Sequence, residues 1–242
     1  MKKTGERTET MLKNIKIIQR NDFQNFTLDS VLIGDFVKIN RKSKKILDIG
    51  TGCGVIALIL ANRSKAEIVG VELQEIMADI AKENVQNNKL GDRVKIMQGD
   101  IKNYREIFKR DEFDVVVTNP PYFEFKGNIN QINDLDQLAK ARHNVDLSLG
   151  EIVEASAFVL KNGGSFNMVF RVERLVEVFE IMRKYRLEPK RLINIFTKQD
   201  EESKICLIEG IKDAEKGLKI EKPIFVYNEK GKRSEYVDKL YK

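Results

Sequence analysis

Lys45-Ile46-Leu47-Asp48-Ile49-Gly50-Thr51-Gly52-Cys53-Gly54-Val55-Ile56 sets the architecture of this chain. A short β-forming run, Lys45 to Ile49, breaks into three closely spaced glycines and then into a helical pattern, Val55 to Arg63. Glycines at such a junction let the backbone turn sharply and let a ligand lie against it. Twenty residues after Gly52 stands Glu72, at the end of a second β run, Glu67 to Val71. A carboxylate there is placed to accept both hydroxyls of a ribose. A third β run, Val94 to Met97, ends in Gly99-Asp100, and that carboxylate is placed to accept from an adenine amino group. Three successive strand ends thus present groups to one adenosine-shaped ligand. On this evidence alone a nicotinamide dinucleotide is a live alternative, because Gly52, Gly54 and Ala57 also fit the looser dinucleotide fingerprint.

The same alternation continues downstream. A helix over Ile76 to Asn88 joins the second and third strands, and Phe113 to Thr118 reads as a fourth strand, apolar enough for burial on both faces. Residues 120–147 are polar and irregular, a length of loop that usually carries function. A helix over Ile152 to Leu160, stopped by Asn162-Gly163-Gly164, precedes a fifth strand, Ser165 to Phe170, and a helix over Val172 to Lys184. Leu192 to Thr197 and Ile205 to Ile211 read as a closing antiparallel pair, and the tail holds one short β run, Ile224 to Tyr227, before a basic helical end. Strands alternating with helices give an α/β class with a mostly parallel sheet. We divide the chain into an N-terminal segment, 1–43, that covers the cofactor and RNA side, a catalytic unit, 44–211, and a basic extension, 212–242.

The fourth strand ends in Asn119-Pro120-Pro121-Tyr122-Phe123. Proline cannot continue a central strand, so the chain lifts off the carboxyl edge of the sheet where the ligand would sit. The two prolines remove donors and leave a rigid turn rich in acceptors. That suits an exocyclic amine or amide nitrogen, a poor nucleophile because its lone pair is delocalised. The Asn119 side-chain oxygen and the Pro120 carbonyl are each placed to accept one of its N–H groups and aim the lone pair at a methyl carbon. Tyr122 offers a ring on which a planar substrate stacks, worth roughly 1–3 kcal/mol for a base. A dinucleotide enzyme has no use for this tetrapeptide.

Together, Asp48 to Gly54, Glu72, Asp100 and Asn119 to Tyr122 resemble the S-adenosylmethionine-dependent amino methyltransferases with an Asn-Pro-Pro-Tyr motif. More closely, the chain resembles the bacterial tRNA adenine N6-methyltransferases that modify adenosine 37 of a valine tRNA. The stretch Phe26-Thr27-Leu28-Asp29-Ser30-Val31-Leu32, the Phe123 after the tetrapeptide and Ala141-Arg142-His143 carry that likeness, although Asn144 stands where the family has an acidic residue. The resemblance implies a Rossmann-like methyltransferase fold, a mostly parallel seven-stranded sheet flanked by helices. It implies cofactor contacts from Asp48, Gly50, Gly52, Gly54, Glu72, Asp100 and Asp29, the last near the methionyl end. It implies catalysis at Asn119, Pro120 and Tyr122, and substrate contacts from Tyr122, Phe123, Arg142 and His143. S-adenosyl-L-methionine is the expected cofactor and tRNA the expected partner. For Thr27 and Asp29 a plainer role, capping a helix that starts near Ser30, stays open.

Composition supports this setting. Hydrophobic residues are 42% of 242, enough for a core, and two cysteines with one histidine offer no metal-ligand spacing, so no metal is expected. The longest apolar run, Val55 to Ala61, is too short to span a bilayer, and no apolar stretch follows Met1-Lys2-Lys3, so a cytoplasmic protein is expected. The net charge of +6 is concentrated at the ends: residues 1–20 carry six Lys/Arg against two Glu, and residues 183–242 carry sixteen against eleven Asp/Glu. A polyanionic partner held by the ends is the reading that follows. Three rivals remain. A glutamine methyltransferase of release factors shares the tetrapeptide but carries a sizeable N-terminal helical domain, whereas 44 residues precede Lys45 here. A guanine N2-methyltransferase of rRNA usually has Phe in place of Tyr122. A non-catalytic RNA-binding module would have no need of an intact Asn119 to Tyr122.

Overall fold

The computed structural model describes residues 5–23, 25–120 and 147–242. The expected Tyr122, Phe123, Arg142 and His143 lie outside the described residues, as does Pro121.

The strands of the catalytic unit are β3 (Lys45–Ile49), β4 (Glu67–Glu72), β5 (Val94–Gln98), β6 (Phe113–Thr118), β7 (Leu160–Arg171), β8 (Leu187–Phe196) and β9 (Ile205–Lys212). They lie in the order β8-β9-β7-β6-β3-β4-β5. β3 to β7 pair in parallel, and β9 runs antiparallel to both β7 and β8. This is the expected seven-stranded sheet with its antiparallel closure. Two short strands extend it: β10 (Lys219–Ile220) and β11 (Ile224–Phe225) both pair in parallel with β8.

The helices follow the strands in α/β fashion. α1 (Leu28–Phe36), α2 (Val55–Arg63) and α3 (Glu75–Asn87) belong to one hydrophobic cluster; α4 (Tyr104–Ile107), α5 (Leu149–Val159) and α6 (Leu175–Lys184) belong to the other. α5 opens with a reciprocal cap in which the Ser148 hydroxyl accepts from Glu151 N and the Glu151 carboxylate accepts from Ser148 N. Each cluster fills one face of the sheet, which is why Ile46, Leu47, Val116 and Val117 are wholly buried.

Three features differ from the sequence expectation. The fifth strand begins at Leu160 rather than Ser165. Asn162-Gly163-Gly164 does not stop a helix but forms an irregularity opposite Phe113 and Val115, with Gly163 at φ 73°. Second, β8 begins at Leu187, carrying Pro189 at a register shift against β9. Third, an N-terminal hairpin, β1 (Arg7–Leu12) and β2 (Ile15–Arg20), packs on α3. Its outer backbone is met by two side chains acting as a surrogate strand. The Asn84 and Asn88 amide oxygens accept from Ile18 N at 2.8 Å and Lys16 N at 2.9 Å, and their amide nitrogens donate to Ile18 O and Lys16 O. Asn84 is fully buried and also donates to Cys53 O at 2.9 Å, so one side chain ties the hairpin to the glycine turn.

The C-terminal extension docks on the same side. α7 (Glu235–Tyr241) is capped by the Ser234 hydroxyl and buries Val237 and Leu240. Tyr236 Oη donates to Asp35 of α1 at 2.8 Å, and Lys13 N donates to Tyr241 O at 3.1 Å. Lining the same pocket as Asp35 and Tyr236, the Arg191 guanidinium stacks on the Phe36 ring at 4.0 Å and donates to Glu209 at 2.5 Å. The tail is therefore part of the packed body.

Candidate active site

The strand order reverses at β3, whose neighbours are β4 on one side and β6 on the other. Crossovers leave in opposite directions there, so a crevice opens outside the strand ends. Register places the site residues around it. Ile49 pairs with Val71 and with Thr118, so Gly50 and Asn119, which follow their strands, and Glu72, which ends its own, stand at the same level. Glu72 pairs with Gln98, which brings Asp100 to the same edge.

The glycine turn is held open by unusual backbone. Gly50, Gly52 and Gly54 have φ of 69°, 57° and 86°, values that L side chains rarely adopt. Gly50 N and Thr51 N both donate to Val71 O, at 2.9 and 3.1 Å, and Gly54 N donates to Thr51 O at 2.9 Å. α2 then begins at Val55 with its first amides at the crevice.

Two carboxylates lie beneath the turn. Glu72 is 9% exposed; its Oε2 accepts from Gly52 N at 2.9 Å and its Oε1 from Gln74 N at 3.0 Å. Burial raises its pKa, and the hydrogen bonds from Gln74 and Gly52 oppose the rise. Each oxygen keeps capacity for a further donor. Asp48 is fully buried: one oxygen accepts from Thr51 Oγ1 at 2.6 Å, and the backbone N–H of Ala57 also favours its charged form. Burial first, opposed by the bonds from Thr51 and the Ala57 backbone and aided by the nearby Glu72 charge, pushes its pKa up to about 7.

Asp48 has a measurable consequence. A carboxylic acid whose folded pKa exceeds its unfolded value holds a proton that the unfolded chain has released. Stability therefore declines as pH rises from about 4 to about 7, by about 4 kcal/mol at most. Asp48→Asn is expected to remove this decline, read from urea midpoints at pH 5 and pH 8. Equal pH slopes in the two proteins would rule out the buried proton.

The remaining expected residues behave unevenly. Asp100 sits at the strand edge, and its Oδ1 accepts from Lys102 N at 2.9 Å, capping the 3-10 turn Ile101–Asn103. Asp29 lies in the first turn of α1, where its charge suits a helix N-terminus; Thr27 holds the N-cap position without a side-chain cap bond. Tyr241 of α7 lies within electrostatic reach of Asp29 and stacks beneath Arg233. Cys53 is buried with its thiol pushed up to about 12 by desolvation, which leaves it inert as a nucleophile. Asn119 is half-buried at the end of β6, its Nδ2 donating to Ser30 Oγ of α1 at 3.0 Å. Sequence reasoning assigned no role to Ser30, Thr51 or Asn84. Among the described residues no group of three or more His, Cys, Asp or Glu is placed to hold a metal, and no helix is long and apolar enough to cross a membrane.

Comparison with known proteins identifies the family. A family model described as a methyltransferase domain matches residues 40–219. A tRNA1(Val) (adenine(37)-N6)-methyltransferase of Bacteroides thetaiotaomicron is 36% identical over 183 residues, covering 74% of this chain and 73% of the relative. One of the same name from Cytophaga hutchinsonii is 29% identical, covering 80% and 78%. In three dimensions the chain is similar to a predicted O-methyltransferase of Agrobacterium tumefaciens, with a TM-score of 0.71 at 18% identity over 88% of this chain and 95% of that one. The chain belongs to the tRNA1(Val) (adenine(37)-N6)-methyltransferase family.

Proposed function

We propose that the protein transfers the methyl group of S-adenosylmethionine to N6 of an adenine in tRNA, at position 37 of a valine tRNA. The observation that carries this is Asn119-Pro120 at the end of β6, level with the glycine turn and Glu72. The residues fit the cofactor on their own terms. Glu72 stands where ribose hydroxyls would donate, and the space beside Gly50 and Gly52 is open, with nothing within 4 Å of where a Cβ would stand. Gly50, Gly52 and Gly54 line the methionyl side, Asp29 closes it from α1, and the second oxygen of Asp100 meets the adenine. Bound there, the sulfonium supplies a methyl carbon already activated toward attack.

The chain's own work is positioning. The Asn119 Oδ1 and the Pro120 carbonyl accept the two N–H groups of the substrate amine. This draws its nitrogen toward a pyramidal shape and directs the lone pair along the line of attack. Holding the nitrogen about 3 Å from the methyl carbon supplies much of the acceleration. Tyr122 stacks on the base, which leaves the RNA stack to reach it, and Phe123, Arg142 and His143 extend the contact to the flanking nucleotides. Residues 1–43 and 212–242 serve as a cover and a basic wall to the catalytic unit 44–211, and the protein works in the cytoplasm, where its tRNA is.

The test uses unmodified bulk tRNA, rRNA and a release factor, each incubated with S-adenosylmethionine and analysed by mass spectrometry. N6-methyladenosine in a tRNA anticodon-loop fragment is the expected product. A methyl on guanine or on a protein glutamine would replace this reading with one of the rivals, and no transfer to any of them would leave only a binding module.

A further inference from the structure

We infer that Asn84 of α3 is a positioning residue for cofactor binding, because its amide fixes the Cys53–Gly54 peptide of the glycine turn in one orientation. The inference rests on the placement of S-adenosylmethionine against that turn proposed above. Asn84 is wholly buried and makes three bonds to the main chain. Its Oδ1 accepts from Ile18 N at 2.8 Å, and its Nδ2 donates to Ile18 O and to Cys53 O, both at 2.9 Å. A backbone N–H donates and a carbonyl accepts, so this amide fits one way round. The two bonds to Ile18 of the hairpin hold the side chain while the third reaches the turn.

The peptide it reaches has a ready alternative. A half-turn of the Cys53–Gly54 peptide changes ψ at Cys53 and φ at Gly54, and glycine tolerates φ of either sign. In the observed orientation Gly54 stands at φ 86°, its N–H donates to Thr51 O at 2.9 Å, and the Cys53 carbonyl faces α3. Thr51 O belongs to the turn and moves with it, whereas Asn84 anchors the peptide from outside. A rotated peptide would deprive the buried Asn84 amide of an acceptor, and an unpaired buried donor is costly.

α3 is a firm reference for the turn. Ala81, three residues before Asn84 and on the same helix face, lies so close that a Cβ at Gly54 would meet its Cβ at 3.3 Å. Gln74, the N-cap of α3, donates its N–H to Glu72 Oε1, while Glu72 Oε2 accepts from Gly52 N. The turn is thus tied to α3 twice, at Gly52 through Glu72 and at Cys53 through Asn84. Asn88, the C-cap of α3, supplies a matched comparison. It makes the same kind of bonds to the hairpin, accepting from Lys16 N at 2.9 Å and donating to Lys16 O at 2.7 Å, but its further donor bond goes to Asn84 O and not to the turn. Removing either side chain loosens the hairpin; removing Asn84 also frees Cys53 O.

The test uses the full chain and reads Kd for S-adenosylmethionine by calorimetry, kcat on tRNA at saturating cofactor, and Tm, with binding measured well below the Tm of each variant. Asn84→Asp keeps the size of the side chain and the acceptor for Ile18 N but loses both amide donors; Asn84→Ala loses all three bonds. Each is expected to raise Kd about 5- to 30-fold, the scale of one buried hydrogen bond. At saturating cofactor kcat should stay within about twofold, because the turn is equally engaged before and during transfer. Asn88→Ala is expected to lower Tm while its Kd stays within about twofold of wild type, because the bond to Cys53 O survives. Two results would overturn the inference. Asn84 variants that bind the cofactor as wild type does, with a lower Tm, would make Asn84 an anchor for the hairpin alone. An equal rise in Kd for Asn88→Ala would place the effect in hairpin docking. The two readings fail separately: if Glu72→Ala weakens binding and the Asn84 variants do not, the role of Asn84 falls, whereas if none of them does, the cofactor does not lie against the turn.

Discussion

Asn119→Ala is expected to keep its affinity for S-adenosylmethionine and for tRNA while losing roughly 100- to 1,000-fold in kcat, the scale seen when one preorganised polar contact to a reacting centre is removed. The physical reason lies in when the contact matters. In the bound substrate the N6 lone pair is delocalised into the ring, and the amine is planar and a modest donor. As the nitrogen attacks, positive charge gathers on it and its N–H groups become stronger donors. An acceptor fixed beside them therefore stabilises the transition state more than the ground state, and its loss appears in kcat rather than KM. The side chain sits at the end of β6, next to a strand buried on both faces, and its amide nitrogen is held by Ser30 at 3.0 Å, so it is positioned before substrate arrives. Single-turnover rates at saturating cofactor, with binding constants measured separately, distinguish the outcomes. A variant with normal turnover, or one that fails only through weaker binding, would show that the acceptor is not used in the chemical step.

Much of this centre was legible in the sequence, because each of its parts follows a strand and parallel strands end together. Asp48, the glycines, Glu72 and Asn119 could be aligned once the β runs were recognised. The register of Ile49 with Val71 and Thr118 places them as that reading expects. Asp100 was legible in position but not in local bonding, since its tie to Lys102 N comes from a short turn with little sequence signature. The N-terminal hairpin was missed for a different reason. Arg7 to Arg20 alternates only loosely, and a two-stranded hairpin is marginal in isolation. What secures it are Asn84 of α3 and Asn88 at its C-terminal cap, more than sixty residues away, where asparagine carries little signal of such a role. The start of β7 was misplaced because Gly163-Gly164 punctuates a helix and a strand irregularity equally well. Ser30 lies in the segment that carries the family likeness, yet its contact joins residues 89 apart, and only the packing of α1 on α2 reveals it.

Glu72 gives the second large effect, on cofactor binding rather than on chemistry. Its carboxylate is nearly enclosed and already accepts from Gly52 N and Gln74 N, so it both shapes the turn and faces the crevice. In the proposed role it accepts from two ribose hydroxyls; replacing it with alanine is then expected to cost roughly 1–3 kcal/mol, or about a 5- to 150-fold rise in Kd for S-adenosylmethionine. At saturating cofactor kcat should change little, because the ribose makes the same contacts before and during transfer. The pH dependence has a definite sign. Burial holds the Glu72 pKa above the usual carboxylate value, so protonation begins at a higher pH than for an exposed glutamate. The protonated acid has lost part of its acceptor capacity, so cofactor affinity should weaken as pH falls into the acid range, and this weakening should vanish in Glu72→Ala. Calorimetry of both proteins across pH, with nicotinamide dinucleotide as a control that fails to bind, gives the comparison. If the variant bound S-adenosylmethionine within twofold of wild type while its Tm fell, Glu72 would be serving only to tie Gly52 and Gln74, and the ribose would have to be held by another group.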